Sequence, residues 1–333
     1  MKKKHIYLAM AALLAASCSS GDDNIQQTEQ TPILLTSSVG LQTRTAVEDD
    51  FGYLQNEQIT AGTSNVGVCI VRNNNNATVA DNKAYDADGN GALTPADGLT
   101  PGYPTDAALV NIYAYAPYQS SLAYSNDDKY PFSVATDQSS ESAYIASDLL
   151  LGTPLGNPIG RRETAVNLNF KHALAKVIIE IEMGTDMAID DFISGKLTTC
   201  DMATRCNFSL KNKSVSADAT SAKQSVAIAS FSLEDISYYK QNERKMRAMF
   251  IAIPQEIAEG TALLTLTPGP GAADRTPLVY TLPADRPFSM TSGKCSELYL
   301  KAGSTPNLTL VSSTIKPWAD EDNTPDTGTA EME

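Results

Sequence analysis

Residues 168–182, LNFKHALAKVIIEIE, carry the clearest signal of secondary structure in the sequence. Apolar and polar side chains alternate through most of it, and alternation with a period of two is typical of a β-strand that buries one face. The pattern predicts neighbouring strands at residues 166–170 and 174–182. His172 lies within this pattern, and we expect it to be an ordinary histidine on a strand face.

Short apolar runs of the same kind recur along the chain, and helical periodicity is scarce. Gly, Pro, Asn and Asp bound these runs, as they do in turns. Further strands are predicted at residues 33–39, 65–72, 109–115, 195–199, 246–253, 262–267, 278–282, 296–300 and 307–315. Short helical pieces are predicted only at residues 230–239 and within residues 186–193. Many short strands joined by polar turns predict an all-β protein built from antiparallel sandwiches.

The amino terminus has the order of a secretory signal. Lysines at positions 2–4 precede the apolar residues 6–16, and small residues precede Cys18. The apolar run is shorter than the roughly 20 residues that span a bilayer. The string LAASC, residues 14–18, resembles the lipobox of bacterial lipoproteins. It implies a signal peptide at residues 1–17 and a membrane anchor of acyl chains, such as palmitate, on Cys18.

Residues 18–31 are predicted to be a lipidated tether. Past Cys18 they are polar, with Ile25 as the one aliphatic side chain, and cannot bury enough apolar surface to fold. Asp22 and Asp23 lie just past the lipid site and resemble the surface-export signal of Bacteroidetes lipoproteins. We therefore expect a surface-exposed lipoprotein of the outer membrane.

Composition excludes some partners. The sequence has 25 basic and 39 acidic residues, a formal net charge of −14. Removal of residues 1–17 takes away three lysines and no acid, which leaves 22 minus 39, or −17. A protein this acidic is a poor candidate for binding nucleic acid or anionic lipid surfaces.

Catalytic residue types are scarce. Of the two histidines, His5 leaves with the signal peptide, so any Ser-His-Asp or Cys-His mechanism would depend on His172. No acid–base or nucleophile constellation is recognisable. We expect neither an enzyme nor a cofactor.

Four cysteines remain besides the lipid site, at positions 69, 200, 206 and 295. An exported protein meets an oxidising compartment, where disulfides are permitted. Cys200 and Cys206 are close enough in sequence to bridge a turn. Cys69 lies in the run VGVCIV and is expected to be a small buried side chain.

The string DADGNG, residues 86–91, resembles a calcium loop. Asp86, Asp88 and Asn90 supply oxygens at loop positions 1, 3 and 5, and Asp97 occupies position 12, where a glutamate is usual. No helical pattern flanks the loop, and Asp-Gly and Asn-Gly are also strong hairpin-turn dipeptides. We favour a hairpin turn and keep calcium as the weaker hypothesis.

Several motifs, in order, resemble the fimbrillin family of Bacteroidales type V pili, in the branch called Mfa-like fimbrillins. After the lipobox and tether come ILLTSSVGLQTRT at residues 33–45, NVGVCIV at 65–71, VNIYAYAPY at 110–118, LNFKHALAKVIIEI at 168–181 and STIKPW at 313–318. Together these motifs span most of the mature chain.

The resemblance implies two transthyretin-like antiparallel β-sandwich domains in tandem. We assign residues 32–162 and 163–318 to them and expect an acidic, flexible tail at residues 319–333. The resemblance also implies that an arginine-specific protease cuts after the first strand, and we assign the cut to the bond between Arg44 and Thr45. Loss of the first strand would open a groove that a strand of a neighbouring subunit fills.

The donor of that strand is expected near the carboxy terminus. Leu308 and Leu310 share one face of the strand predicted at residues 307–315, and Val311 and Ile315 share the other. Either this segment swings out as the donor, or it is the last strand of its own domain, as would suit a tip, accessory or anchor subunit.

We therefore expect a structural or accessory subunit of a surface fimbria. Its partners would be other fimbrial subunits, an arginine-specific protease, outer-membrane lipid and a host or bacterial surface ligand. The alternative is a surface lipoprotein that binds a glycan or another ligand, for which Tyr113, Tyr115 and Tyr118 could offer stacking surfaces.

Overall fold

The residues with alternating apolar and polar side chains form strands, and the protein is all-β. A computed structural model describes residues 30–39, 62–230, 238–240, 244–303 and 305–318. The predicted signal peptide, Cys18, most of the tether, Arg44, Thr45 and the acidic tail lie outside the described residues. Within the described part, no helix has the length and apolar character needed to cross a membrane.

The strands of the amino-terminal half carry the first eight labels. They are β1 (Leu35–Val39), β2 (Gly62–Arg72), β3 (Thr78–Ala87), β4 (Ala92–Pro95), β5 (Val110–Ala116), β6 (Tyr130–Ser133), β7 (Leu150–Pro154) and β8 (Val166–His172).

The carboxy-terminal half carries the remaining strands. They are β9 (Ala175–Met183), β10 (Lys196–Thr199), β11 (Arg205–Ser209), β12 (Ser214–Ala217), β13 (Ala227–Ser230), β14 (Tyr238–Lys240), β15 (Lys245–Ala252), β16 (Gln255–Ile257), β17 (Ala262–Thr267), β18 (Leu278–Thr281), β19 (Phe288–Met290), β20 (Lys294–Ala302) and β21 (Leu308–Pro317). The described helical elements are α1 (Glu141–Ala146), α2 (Asp190–Ile193) and a 3-10 turn at Pro270–Ala272.

A closed barrel forms the amino-terminal half. Its strands follow the order β1-β4-β3-β2-β5-β7-β8, and β8 returns to β1. The interior is filled by aliphatic and aromatic side chains, including Ile33, Leu35, Tyr85, Leu168 and Phe170. We call this cluster the barrel core.

Two facing sheets form most of the carboxy-terminal half. One has the order β14-β15-β9-β20-β21 and the other β13-β10-β17-β18. The cluster that draws side chains from both sheets, here the sandwich core, includes Val177, Ile179, Phe250, Leu266 and Leu300.

A third cluster, the junction core, combines side chains of both halves. It includes Tyr115, Phe132, Ile178, Phe208 and Trp318. A three-stranded sheet of order β12-β11-β6 contributes to it, so that β6 of the first half pairs with β11 of the second. Strand β9 is buried on both faces because Val177 and Ile179 enter the sandwich core while Ile178 enters the junction core.

The strand pairing changes from the barrel to the second half between His172 and Ala175. Strand β8 pairs with β1 and β7, whereas β9 pairs with β15 and β20. The predicted boundary near residue 163 precedes β8 and would separate that strand from its barrel neighbours.

The helix predicted at residues 230–239 is wrong at both of its ends. Ser230 ends β13, and Tyr238–Lys240 forms β14, which pairs antiparallel with β15. Residues 231–237 lie outside the described residues. The short helix predicted within residues 186–193 is present as α2.

Candidate functional site: the groove of the first strand

Strand β1 occupies a groove between two strands that are distant in sequence. It runs parallel to β8, with Leu35 opposite Val166 and Val39 opposite Phe170. On its other side it pairs antiparallel with β4, with Leu35 opposite Leu93. We call the space that β1 occupies between β8 and β4 the first-strand groove.

Alternating side chains of the first strand point into the barrel. Ile33 is 0% and Leu35 4% exposed, whereas Leu34 between them is 45% exposed. On the outer face, the Thr36 hydroxyl donates to Asn167 Oδ1 at 3.3 Å, and Asn167 Nδ2 donates to the Ser38 hydroxyl at 2.9 Å. The groove therefore has an apolar floor for alternate residues and a polar outer rim.

The backbone just before β1 is also held. Ile33 N–H donates to Pro101 O at 2.7 Å, and Tyr103 N–H donates to Thr31 O at 2.9 Å. Arg161 Nε donates to the Thr31 hydroxyl at 2.7 Å. Removal of this segment would leave unpaired backbone groups along β8 and β4 beside an empty apolar slot, which is a surface that an incoming strand can complete.

Strand β21 contains the four residues predicted to mark a donor strand. Among the described strands, β20 is its one ladder partner, and an isolated bridge joins Asn307 to Val279 of β18. Leu308 is buried in the sandwich core and Leu310 packs against it. Val311 and Ile315 are 63% and 52% exposed. In this state β21 is an edge strand of its own molecule.

A partly buried ion pair holds the second half of β21 on β20. Lys316 Nζ lies 2.7 Å from Glu297 Oε1, and the Thr314 hydroxyl donates to Glu297 Oε2 at 3.0 Å. Burial acts to raise the pKa of Glu297, but the hydrogen bond and charge of Lys316, together with hydrogen bonds from Thr314 and Tyr299, outweigh it and leave that pKa below its usual value. Burial lowers the pKa of Lys316, whereas the hydrogen bond and the charge of Glu297 raise it. The net change of this pKa is upward.

The calcium hypothesis gains no support from the positions of its oxygens. Asn90 N–H and Ala92 N–H both donate to Asp88 Oδ1, at 2.7 and 2.9 Å, and these backbone bonds, led by that of Asn90, lower the pKa of Asp88. Asp97 instead forms an ion pair with Lys83 at 2.6 Å. Asp86 lies within β3, and Asp88 stabilises the turn between β3 and β4. Among the described residues no group of three or more His, Cys, Asp or Glu side chains could hold a metal ion.

The possible bridge between Cys200 and Cys206 is not formed, and the described cysteines are free thiols. Cys206 is buried in the junction core, whereas Cys200 packs against the sandwich core. Two side chains that enter different cores do not meet, although they are close in sequence. Burial raises the pKa of Cys69 and Cys206 to about 12 and that of Cys295 to about 11.

The tyrosines considered for glycan stacking belong to the interior. Tyr113 and Tyr115 are buried in the junction core, and Tyr118 packs against it. The Tyr115 hydroxyl donates to Asn82 Oδ1 at 2.6 Å, and Tyr113 stacks on Tyr124 with ring centroids 6.2 Å apart. Tyr113 and Tyr115 therefore offer no open platform for a sugar ring, and Tyr118 is partly buried.

His172 makes a contact that sequence reasoning missed. Its Nδ1 lies 2.9 Å from a carboxylate oxygen of Asp148, and its ring stacks on Trp318 with centroids 3.9 Å apart and planes 9° apart. The two rings lie in separate motifs, residues 168–181 and 313–318, and no local signal in the sequence indicates that these motifs touch.

Comparison with known proteins gives a family match and several solved structures of similar fold. The model of the fimbrillin-like family matches residues 43–318. No curated protein matches the sequence. Among solved structures, a candidate cell adhesion protein from Bacteroides uniformis is 17% identical with a TM-score of 0.60, and the match covers 86% of this chain and 98% of that one.

Two further solved structures are similar. A candidate cell adhesion protein from Bacteroides ovatus is 15% identical with a TM-score of 0.60, and the match covers 88% of this chain and 99% of that one. The tip fimbrial protein Mfa3 from Porphyromonas gingivalis, with a C-terminal truncation, is 11% identical with a TM-score of 0.48, covering 78% of this chain and 95% of that one.

Proposed function

The chain belongs to the fimbrillin-like family, and from that premise we propose that it is a structural or accessory subunit of a surface fimbria assembled by strand exchange. The observation that carries the proposal is the groove of the first strand. Ile33 and Leu35 fill an apolar slot, Leu35 pairs with both β4 and β8, and Ile33 N–H donates to Pro101 O. A strand held in this way seals the barrel and prevents another strand from entering.

The export route rests on the sequence. We propose that residues 1–17 are a signal peptide, that Cys18 is lipidated, and that residues 18–31 tether the protein to the outer membrane at the cell surface. The lipid keeps each precursor at the membrane, where an arginine-specific protease and other fimbrial subunits meet it.

We propose that the barrel and the carboxy-terminal sheets correspond to two tandem domains of transthyretin-like sandwich type, followed by the tail at residues 319–333. The change of strand pairing after His172 favours a division at residues 173–174 rather than near residue 163. The junction core joins the two domains through a shared apolar surface.

Cleavage between Arg44 and Thr45 is the proposed trigger. The cut falls after β1, so it separates the strand covalently from the remainder of the barrel while the strand still occupies the groove. An incoming strand then replaces the backbone hydrogen bonds and apolar contacts that β1 makes. The free energies of the groove filled by β1 and of the groove filled by the incoming strand are therefore similar.

The sequence of β21 supports a role as the replacement strand. ILLTSSV, residues 33–39, aligns without gaps with LTLVSST, residues 308–314. Leu308 and Leu310 fall at the positions of Ile33 and Leu35, and both segments carry paired serines two residues later. Because alternate residues of a strand share a face, the two leucines suit the pockets of the two residues that they would replace.

Limited proteolysis of the non-lipidated protein tests the proposal. Arginine-specific cleavage is expected to yield a new amino terminus at Thr45, followed by oligomers that resist SDS. Arg44→Lys is expected to block an arginine-specific protease while trypsin still cuts, and Arg44→Ala is expected to block both.

Arg72→Ala provides a matched control, because Arg72 ends β2 and forms an ion pair with Asp106. This variant is expected to assemble as the wild type does. Oligomers that form equally well from Arg44→Ala would contradict the assigned processing site, and cleavage at Thr45 without oligomers would contradict assembly by strand exchange.

A further inference from the structure

We propose that His172 and Trp318 form a clasp that keeps β21 on its own molecule, and that the clasp must open before β21 can be donated. The inference rests on the proposed function, and it names two positioning residues for the exchange. Its starting point is the stack of the two rings, with centroids 3.9 Å and planes 9° apart.

The clasp is well fixed on the histidine side. His172 ends β8, its Nδ1 lies 2.9 Å from Asp148, and its ring is buried. The buried Nε2 has no hydrogen-bond partner among the described residues, so the carboxylate of Asp148 and the face of Trp318 determine how the ring is held. Asp148 therefore orients the ring, and the ring presents a flat surface to Trp318.

The clasp is one of few side-chain contacts that hold β21. Leu308 at the start of the strand is buried in the sandwich core, and Trp318 just after its end is buried in the junction core. From Val311 to Lys316 the side chains are exposed, with the ion pair to Glu297 as a further tie. When the Trp318 end is freed, the ladder to β20, the ion pair to Glu297 and the buried Leu308 still hold the strand. We therefore expect β21 to peel from its carboxy-terminal end, where the side chains are exposed.

The clasp also joins the two strands that matter for exchange. Strand β8 forms one wall of the first-strand groove, and Phe170, opposite Val39, lies two residues before His172. Strand β21 is the proposed donor. Each molecule thus holds its own donor strand, β21, against the end of β8, the strand beside which a donor from another subunit would lie. This contact would keep an unassembled subunit from offering β21 prematurely.

Trp318 is the one tryptophan of the sequence, so its fluorescence reports the clasp directly. In the uncleaved, non-lipidated monomer we expect blue-shifted emission and weak quenching by acrylamide. His172→Ala is expected to raise the acrylamide quenching constant several-fold and to speed amide hydrogen exchange over residues 308–317. Trp318→Ala is expected to speed exchange in the same peptides, and Trp318→Phe, which keeps a ring, is expected to restore most of the protection.

Val311→Ala is the matched control, because Val311 lies on the same strand with its side chain 63% exposed. This variant is expected to change neither the acrylamide quenching of Trp318 nor the amide hydrogen exchange of residues 308–317. Circular dichroism that matches the wild type establishes that each variant is folded. If folded His172→Ala has the same acrylamide quenching constant and the same hydrogen exchange over residues 308–317 as the wild type, the clasp is overturned.

After cleavage, the same variants distinguish the clasp from the proposed function. His172→Ala is expected to assemble faster than the wild type, with the emission of Trp318 shifting as oligomers form. Wild-type oligomers whose Trp318 keeps the monomer's emission and quenching would overturn the clasp and leave strand exchange standing. If the monomer readings show the clasp but no cleaved protein assembles, the proposed function fails and the gating role fails with it.

Discussion

At the scale of single residues, the alternation of Ile33, Leu34 and Leu35 defines the groove. Their order in the sequence predicts that the first and third residues share a face, and both are buried while Leu34 is exposed. That contrast needs no long-range information, because the period of a strand fixes it.

Replacing these residues by alanine tests how much the first strand stabilises the uncleaved protein. We expect Ile33→Ala and Leu35→Ala each to lower the free energy of unfolding by about 2–5 kcal/mol, since each leaves a cavity in the barrel core. Leu34→Ala, as the matched control, is expected to change it by about 0.5 kcal/mol or less. Urea unfolding measures all three, and equal losses would contradict the burial pattern.

The cysteines give a second residue-scale prediction, for protein that lacks residues 1–18. The thiolate is the reactive form, and burial raises the pKa of Cys69, Cys206 and Cys295 far above pH 8. Burial raises the pKa of Cys200 as well, but its side chain is the most exposed of the four. We therefore expect Cys200 to react with a thiol reagent at pH 8 before the other three, and Cys200→Ser to abolish that first phase. Four thiols should react in urea, and a count of two would reveal a bridge.

Two residue-scale relations were beyond reach of the sequence. Cys200 and Cys206 are near neighbours in the chain, yet they enter different cores. His172 and Trp318 are far apart in the chain, yet their rings stack. Local spacing carries no information about which core a side chain enters or which distant strand lies beside it.

At the scale of elements, strands with strong alternation were predicted to within a few residues, and polar strands were missed. Half of the residues of strand β3, TVADNKAYDA, are polar, and it is a strand because it pairs with β2 and β4. Strand β6, YPFS, contains a proline and is short, and it pairs with β11 of the other half. Both depend on partners that hydrophobic periodicity does not reveal.

Strand β21 gives a prediction on pH. The pKa of Glu297 in the folded protein lies below its usual value. The ionised Glu297 side chain therefore stabilises the fold fully at a pH above the usual pKa of glutamate. This stabilisation is lost as the pH falls through the lowered pKa of the folded protein. At pH 7 we expect Glu297→Gln to lower the free energy of unfolding by about 1 kcal/mol or less, since Lys316 is largely exposed. The difference should shrink as the pH falls below the usual pKa of a glutamate.

The matched control for this prediction is Glu182→Gln, whose partner Lys301 lies 3.5 Å away with both side chains about half exposed. It is expected to have a smaller effect at pH 7. A penalty for Glu297→Gln that persists unchanged at low pH would contradict the assigned role of the ion pair.

At the scale of the whole molecule, the all-β architecture and the family followed from the sequence. The junction core did not, since it combines side chains of both halves and a sheet in which β6 crosses to β11. For the same reason the linker-like stretch near residue 163 does not coincide with the change of strand pairing, because β8 beyond it belongs to the barrel.

Strand exchange would place β21 of one molecule where β1 of another lies, and a cross-link between two copies tests this placement. Asn167 lies opposite Thr36 in the parallel ladder, and in the aligned register Val311 takes the position of Thr36. One copy carries Asn167→Cys, the other Val311→Cys, and Thr36→Cys with Asn167→Cys in one uncleaved chain is the positive control. After removal of residues 1–18 and cleavage at Arg44, mild oxidation of the mixture should yield a disulfide-linked dimer that neither variant forms alone. Failure to form this dimer, while the control pair oxidises readily, would contradict strand exchange by β21.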